Sequence, residues 1–310
     1  MRESVEAFYS KNGKVAQKLA QEFIGKRVGE RLPRIDDFVN ALGSARGTVQ
    51  GAMRLLQQTN AVQLESRGHL GTYLIKKDQA LLWELAGRGT LVSMMPLPYS
   101  RRYEGLATGL TEEFNKSGIP FTIAHMRGGN HRIEALRSHR CDFVVLSRWA
   151  AEEACRRYND LKVYKHLGEQ TFVDRHGILF ADQEADQIQS GMRVGIDSSS
   201  SDQSDLTGAE CQGLNVQCIE VNYMQLFRLL ENGQIDAAIW NLDEIPPGSP
   251  WGIGTFRSEA AQEMSRRLSE ASLLIRDSEE DVAEVLETLS FDEVIRIQEA
   301  VLHGERVPHY

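Results

Sequence analysis

The stretch from Gly29 to Leu74 constrains this chain more than any other. It runs GERLPRIDDFVNALGSARGTVQGAMRLLQQTNAVQLESRGHLGTYL. Apolar residues recur at three- and four-residue intervals, and glycines fall where the periodicity breaks. Pro33 precedes a short helix over 35–41 whose Ile35, Phe38, Val39 and Leu42 face a core. Gly43 ends it. A second helix over 45–58 buries Val49, Ala52, Met53 and Leu56. Its other face offers Arg46, Thr48, Gln50 and Arg54, side chains able to bond phosphates or base edges. Two strands, 62–66 and 72–76, then flank the turn Arg67-Gly68-His69-Leu70-Gly71, with glycines where a tight hairpin needs them. Upstream, Val15, Leu19, Phe23 and Ile24 mark one more amphipathic helix over 14–24.

Three helices and a basic hairpin in this order read as a winged helix-turn-helix, a reader of double-stranded DNA. The charge distribution agrees. Residues 1–77 carry 13 Lys and Arg against 7 Asp and Glu, although the whole chain has a net charge of −9. One end is therefore suited to a polyanion. The N-terminus lacks the apolar run of a secretory signal, and no apolar run approaches a membrane span of roughly 20 residues. Cys141, Cys155, Cys211 and Cys218 lack CxxC or metal-ligand spacing. The expectation is a cytoplasmic protein with reduced thiols, no metal, no cofactor and no membrane partner.

The head resembles the DNA-binding domain of the GntR family of bacterial transcription regulators. The resemblance rests on Gly29, Arg31, Leu32, Pro33, Leu42-Gly43, Arg46-Gly47-Thr48-Val49, Ala52, Leu55 and the wing Gly68-x-x-Gly71-Thr72. It implies that the third helix enters the major groove, the wing reaches the backbone or minor groove, and a homodimer reads two half-sites of an operator. The candidate DNA-binding residues are Arg31, Arg34, Ser44, Arg46, Thr48, Gln50, Arg54, Arg67 and His69. The chain departs from the family at three places. Ala45 stands where Ser or Thr usually caps the recognition helix, which leaves that end to Ser44 or holds it less firmly. Gln50 and Asp36 replace usual arginines, so weaker or differently specified binding is expected.

The pattern changes after residue 89. Short apolar strands and helices alternate: strands over 91–97, 121–126 and 141–146, with helices over 103–116 and 131–138. A second set follows, with strands over 192–197, 215–221 and 233–240 and helices over 201–207 and 223–232. Such alternation means parallel sheets with covering helices. Extended runs at 162–167 and 177–181 link the sets. A return strand over 272–276 and helices over 281–288 and 291–303 close the chain.

The phrases ALRSHRCDFVVLS and LLENGQIDAAIWN share one form: helix, polar turn, Asp, apolar strand. They resemble the repeated unit of the two-lobed, type 2 periplasmic-binding-protein fold, which LysR-type regulators use as an effector sensor. Joined to the head, the whole chain resembles the YhfZ family. The resulting expectation is an α+β winged helix-turn-helix over 1–78, a linker over 79–89, and a two-lobed α/β domain over 90–310. Lobe I comprises about 90–168 and 270–310, and lobe II about 169–269.

In open α/β sheets, ligands bind beyond the carboxyl ends of strands, where helix N-termini favour anions. Six loops qualify. In the first set they hold Tyr99, Ser100 and Arg102, then Arg127 and Asn130, then Ser147 and Arg148. In the second they hold Ser198, Ser199, Ser200 and Ser201, then Asn222 and Tyr223, then Asn241. Arg127 and Arg148 could grip a carboxylate or phosphate effector. Against this, each loop could simply cap a helix or make a turn. No GxSxG, P-loop, HExxH or GxGxxG pattern points to an enzyme. His176 with Asp174 could form an acid–base pair, but it is read as a structural or surface residue. The alternative reading is a DNA-binding or protein-interaction module whose lobes bind no small ligand.

Overall fold

The apolar stripe of the opening helix organises the first part of the chain. This computed structural model describes residues 10–246 and 248–310, without the side chain of Tyr223. Helix α1 (Lys11–Ile24) starts three residues earlier than its periodicity suggested, because the Ser10 hydroxyl accepts the Gly13 N–H at 3.1 Å. Val15, Ala16, Leu19, Ala20, Phe23 and Ile24 are buried along one side. Helix α2 (Ile35–Leu42) ends at Gly43, whose φ of 57° gives the left-handed turn that redirects the chain. Helix α3 (Arg46–Gln58) buries Val49, Ala52, Met53 and Leu56, the stripe read from the sequence, and packs on α1. Phe23 meets Phe38 edge-on at 6.1 Å, tying α1 to α2.

The wing is the antiparallel pair β1 (Val62–Ser66) and β2 (Thr72–Lys77). Residues 29–32 lie along β2 as a third ribbon. The Gly29 N–H donates to the Leu74 carbonyl, the Leu74 N–H to that of Glu30, and the Leu32 N–H to that of Thr72. Segment 79–89 is largely helix α4 (Gln79–Leu85), capped by Asp78, with Leu82 and Trp83 buried. It packs on α1, as does α11 (Glu280–Glu287) from near the end of the chain. Lys77 donates to the Ile24 carbonyl at 2.7 Å and to Glu284 at 3.3 Å. Burial pulls its ammonium below the ordinary lysine range, and Glu284 opposes that pull.

The chain divides into two compact units. One comprises residues 1–91, 113–121 and 279–290. The other comprises 92–112, 122–278 and 291–310. The second unit contains two lobes built on one plan. The lobe I sheet runs β4 (Phe121–His125), β3 (Leu91–Met95), β5 (Phe143–Ser147), β12 (Ala271–Arg276), β6 (Leu161–His166). The lobe II sheet runs β9 (Gln217–Glu220), β8 (Arg193–Ile196), β10 (Ala237–Asn241), β7 (His176–Phe180), β11 (Gly252–Gly254). Each order is second, first, third, crossing strand, last. In each, the strand that arrives from the other lobe pairs antiparallel with the third: β12 with β5 and β7 with β10. β3 and β5 are parallel, as are β8 and β10. This repeated topology is the type 2 periplasmic-binding-protein-like fold.

Helices α5 (Arg101–Ser117), α6 (Gly129–Arg137) and α7 (Arg148–Arg157) belong to lobe I, and α8 (Ser201–Cys211), α9 (Leu226–Glu231) and α10 (Glu259–Leu268) to lobe II. Helices α7 and α10 and strand β11 were not expected from the periodicity, and α8 runs past the expected end at 207, since polar residues Ser201–Asp205 weaken its apolar pattern. α12 (Phe291–Leu302) crosses α5 so closely that a Cβ at Gly109 would lie 2.6 Å from the Val294 carbonyl oxygen. Cys141 and Cys211 are buried, Cys155 is half-buried and Cys218 is exposed, all as free thiols. Desolvation pushes the Cys141 thiol up to about 12. No helix among the described residues is long and apolar enough to cross a membrane.

Candidate functional site

On the head, Arg46, Gln50 and Arg54 stand four residues apart along the exposed side of α3. Thr48 beside them is half-buried. The Arg46 guanidinium bonds the Asp36 carboxylate, so the acidic residue that replaces a usual arginine occupies a neighbouring arginine. Ser44 does not cap the helix. Its hydroxyl donates back to the Leu42 carbonyl at 3.2 Å, and the N-cap position, Ala45, makes no side-chain bond. The N-terminus of the helix is thus held less firmly, the second of the two outcomes the sequence left open. Arg31 lies over Gly71, where a Cβ would come within 2.7 Å of its Nε. Arg34 precedes α2 and is exposed, as is His69 on the wing. Arg67 donates to Glu65 at 3.1 and 3.3 Å, and its guanidinium sits 4.5 Å from the Tyr73 ring centre.

In the second unit the loops after the strands meet around a cavity of about 110 Å³ between the lobes. Of the expected ligand residues, Tyr99, Arg127, Ser199, Ser200, Ser201 and Asn241 line it. Arg127 also ties the lobes together. It donates to Asp197 at 2.6 Å and to Asn222 at 2.8 Å, both from lobe II. Ser199 donates to the same Asp197 carboxylate; burial pushes its pKa up, but the Ser199 and Arg127 contacts together outweigh burial and hold it below the usual carboxylate range. The Ser200 hydroxyl caps α8 by accepting the Gln203 N–H, and Asn241 donates to Glu244 at 3.1 Å. Gly128 supports the close approach of the lobes. Its φ is 82°, and a Cβ there would lie 3.1 Å from the Ser199 carbonyl oxygen.

Other expected residues are elsewhere. Arg148 does not line the cavity. It begins α7 and turns away to Glu152 at 2.7 Å and Glu270 at 3.0 Å, because those carboxylates flank the helix start. Arg102 likewise points to Asp243 at 3.2 Å and to the Gln170 carbonyl. Ser100 and Ser147 are buried and accept the N–H groups of Tyr103 and Ala150 respectively, as helix caps. Asn130 and Ser198 line a separate hollow, and Ser198 donates to Glu220 at 2.6 Å. Tyr223 opens a short turn, and its side chain lies outside the described residues.

The cavity also recruits residues the loop rule did not reach. Arg132, one turn into α6, is 5% exposed; one nitrogen donates to the Met126 carbonyl and its Nε has no partner. Burial lowers it to about 10. Asp202, in the first turn of α8, has an enclosed Oδ1 without a partner, and desolvation raises its carboxyl to about 6. His176 lines the wall with an unpartnered Nδ1, and desolvation takes it down to about 4, so its ring is neutral at neutral pH. It does not pair with Asp174, which accepts from Gln170 at 2.9 Å and forms a longer ion pair with Arg102 at 3.7 Å. Tyr103, Phe172 and Trp240 supply an apolar floor. The signal that could have found Arg132 and Asp202 was their place in the first helical turn after loops already singled out.

Comparison with known proteins follows this division. A helix-turn-helix domain family matches residues 27–74, and the YhfZ C-terminal domain family matches residues 78–310. The chain is 36% identical over 235 residues to the uncharacterized protein YhfZ of Escherichia coli K12, covering 76% of each. The crystal structure of YhfZ from Shigella flexneri superposes with a TM-score of 0.62 at 29% identity, covering 75% of this chain and 98% of that one.

Proposed function

The chain belongs to the YhfZ family, and from that membership we propose a specific role: a DNA-binding transcription regulator, working as a cytoplasmic homodimer, whose second unit senses a small metabolite with an anionic group. The helix-turn-helix head and the binding-protein-like domain together indicate a transcription regulator. The observation that carries the sensing role is the cavity between the lobes, whose walls hold buried charged groups with unused hydrogen-bonding capacity. Buried polar groups in folded proteins are normally satisfied, so such a wall suits a polar ligand.

In this reading Arg46, Gln50 and Arg54 face the major groove in the manner of GntR-like heads. Arg31, Arg34, Ser44, Thr48, Arg67 and His69 contact the backbone or the adjoining groove. Arg127, at the mouth of the cleft, contacts the effector and holds the lobes closed through Asp197 and Asn222. A ligand that binds the closed lobes better than open ones shifts that equilibrium, and with it the spacing of the two heads of a dimer.

The test is selection of DNA sites from random sequence with purified protein, then footprinting with and without small carboxylates and phosphates. A palindromic footprint that changes with a metabolite supports the reading. A footprint indifferent to every metabolite leaves a DNA-binding module without sensing, and turnover of a substrate with no footprint removes the regulator reading altogether. Gln50→Arg should alter the selected sequence, because Arg prefers guanine where Gln prefers adenine.

A further inference from the structure

The charged groups in the cavity do not form a site for a simple anion. Arg127 and Asp197 neutralise each other across its mouth. Deeper in, the lining charges are Arg132 from lobe I and Asp202 and Glu244 from lobe II. Arg132 and Asp202 lie near enough to influence each other's charge, yet among the described residues no ion pair joins them. Arg132 keeps an unused N–H donor, and Asp202 keeps an unused carboxylate oxygen. A buried donor and a buried acceptor on facing lobes, each unmet, are a costly arrangement unless something bridges them.

We propose that the cleft takes a compact zwitterion: a ligand whose carboxylate bonds the Arg132 guanidinium and whose ammonium bonds the Asp202 carboxylate. This rests on the sensing role proposed above and names the ligand class. Four features of the site point the same way. A phosphate or plain carboxylate would satisfy Arg132 but would leave Asp202 unmet and lie close to Glu244. An amine would do the reverse. A zwitterion meets both, and its net charge of zero matches that of the Arg132–Asp202 pair. The size agrees too. The cavity of about 110 Å³ is below the roughly 150 Å³ that accommodates benzene, so the part of the ligand held between Arg132 and Asp202 has few heavy atoms. Trp240 and Phe172, 2% and 4% exposed, give a short apolar frame a surface to pack on. The neutral ring of His176 adds one further hydrogen bond without adding charge.

The experiment is thermal-shift screening and calorimetry on the full chain with the twenty L-α-amino acids. Each binder is then compared with its deaminated carboxylic acid and its decarboxylated amine, with inorganic phosphate as a further probe. The expected result is at least one amino acid that binds. Loss of either charged group should weaken binding by about 10- to 100-fold, the range of a charge-assisted hydrogen bond. Asp202→Asn should weaken the amino acid by a similar factor and leave the deaminated acid unchanged. Arg132→Gln should do the opposite, weakening the acid and sparing the amine. Because Arg132 also holds the Met126 carbonyl, far-UV circular dichroism must show that its variant is folded, and Asp202→Asn decides if it is not. Carboxylic acids or phosphate binding as tightly as any zwitterion would overturn the inference and leave the sensing role standing. If no probe binds and the footprint ignores every metabolite, both fall.

Discussion

Asp202 should make the ligand-free protein less stable than it could be, and Asp202→Asn tests that. The carboxyl sits in the first turn of α8 with Oδ1 enclosed and unpartnered. Desolvation raises it from 3.8 to about 6, while Ser147 and Arg132 partly offset the effect and Asp205 adds to it. At about 1.4 kcal/mol per pH unit, the rise corresponds to a penalty of about 3 kcal/mol once the group is ionised in the folded state. The folded protein holds the proton more tightly than the unfolded chain between pH 4 and 6. Stability therefore falls as pH rises through that window, and the penalty is complete above pH 6. Asparagine has the same shape without the charge, so the variant should gain about 1–3 kcal/mol at pH 7.5. For a domain of this size the midpoint should rise by roughly 2–4 °C per kcal/mol. At pH 4 the gain should vanish. Scanning calorimetry of both proteins at pH 4, 5.5 and 7.5 is the assay. A variant no more stable at pH 7.5, or one whose advantage persists at pH 4, would refute the reasoning.

Three further outcomes are expected. Asp36→Ala releases Arg46 from its partner and should tighten operator binding about two- to fivefold at low salt, with the difference shrinking as salt rises, in a gel-shift titration. His176 is held neutral down to about pH 4 against 6.5 in an unfolded chain, so stability present above pH 6.5 is lost as pH falls toward 4. His176→Gln should flatten that loss in urea melts at pH 7 and pH 5. Gly109→Ala places a methyl 2.6 Å from the Val294 carbonyl oxygen, so α5 and α12 must separate. The expected destabilisation is about 1–3 kcal/mol, read as a lower melting temperature; an unchanged melt would mean that the crossing yields freely.

The head was legible because its instructions are local. Pro33, Gly43, Gly68 and Gly71 mark the corners, and Val49, Ala52, Met53 and Leu56 supply a clean helical stripe between them. The strands of the lobes were legible for a similar reason, since each is a short buried apolar run. The cavity was legible only in part. The rule that ligands lie beyond strand ends found Arg127 and Ser199–Ser201. It also pointed to Arg148, which stands at a strand end yet turns to Glu152 and Glu270. Which way a long side chain turns depends on carboxylates brought there by distant parts of the chain, and Glu270 is 122 residues away. His176 stood out beside Asp174, but its place in the wall did not, because it opens a strand, β7, that becomes part of the wall only when lobe II assembles around it. Asp36 carried a local meaning, an absent DNA contact. Its grip on Arg46 became visible only once α2 and α3 were placed.

The division of the chain into interleaved pieces bears on how such a protein can change over time. The polypeptide passes from one unit to the other five times, after residues 91, 112, 121, 278 and 290. A head joined by a single stretch of chain can be exchanged through one crossover between genes. Here an exchange near residue 78 would leave α11 behind without the α1 surface on which it packs. A foreign head would have to bring its own seat for that helix, and its own replacement for the Lys77–Glu284 contact. Head and body are thus better treated as co-inherited parts than as interchangeable cassettes.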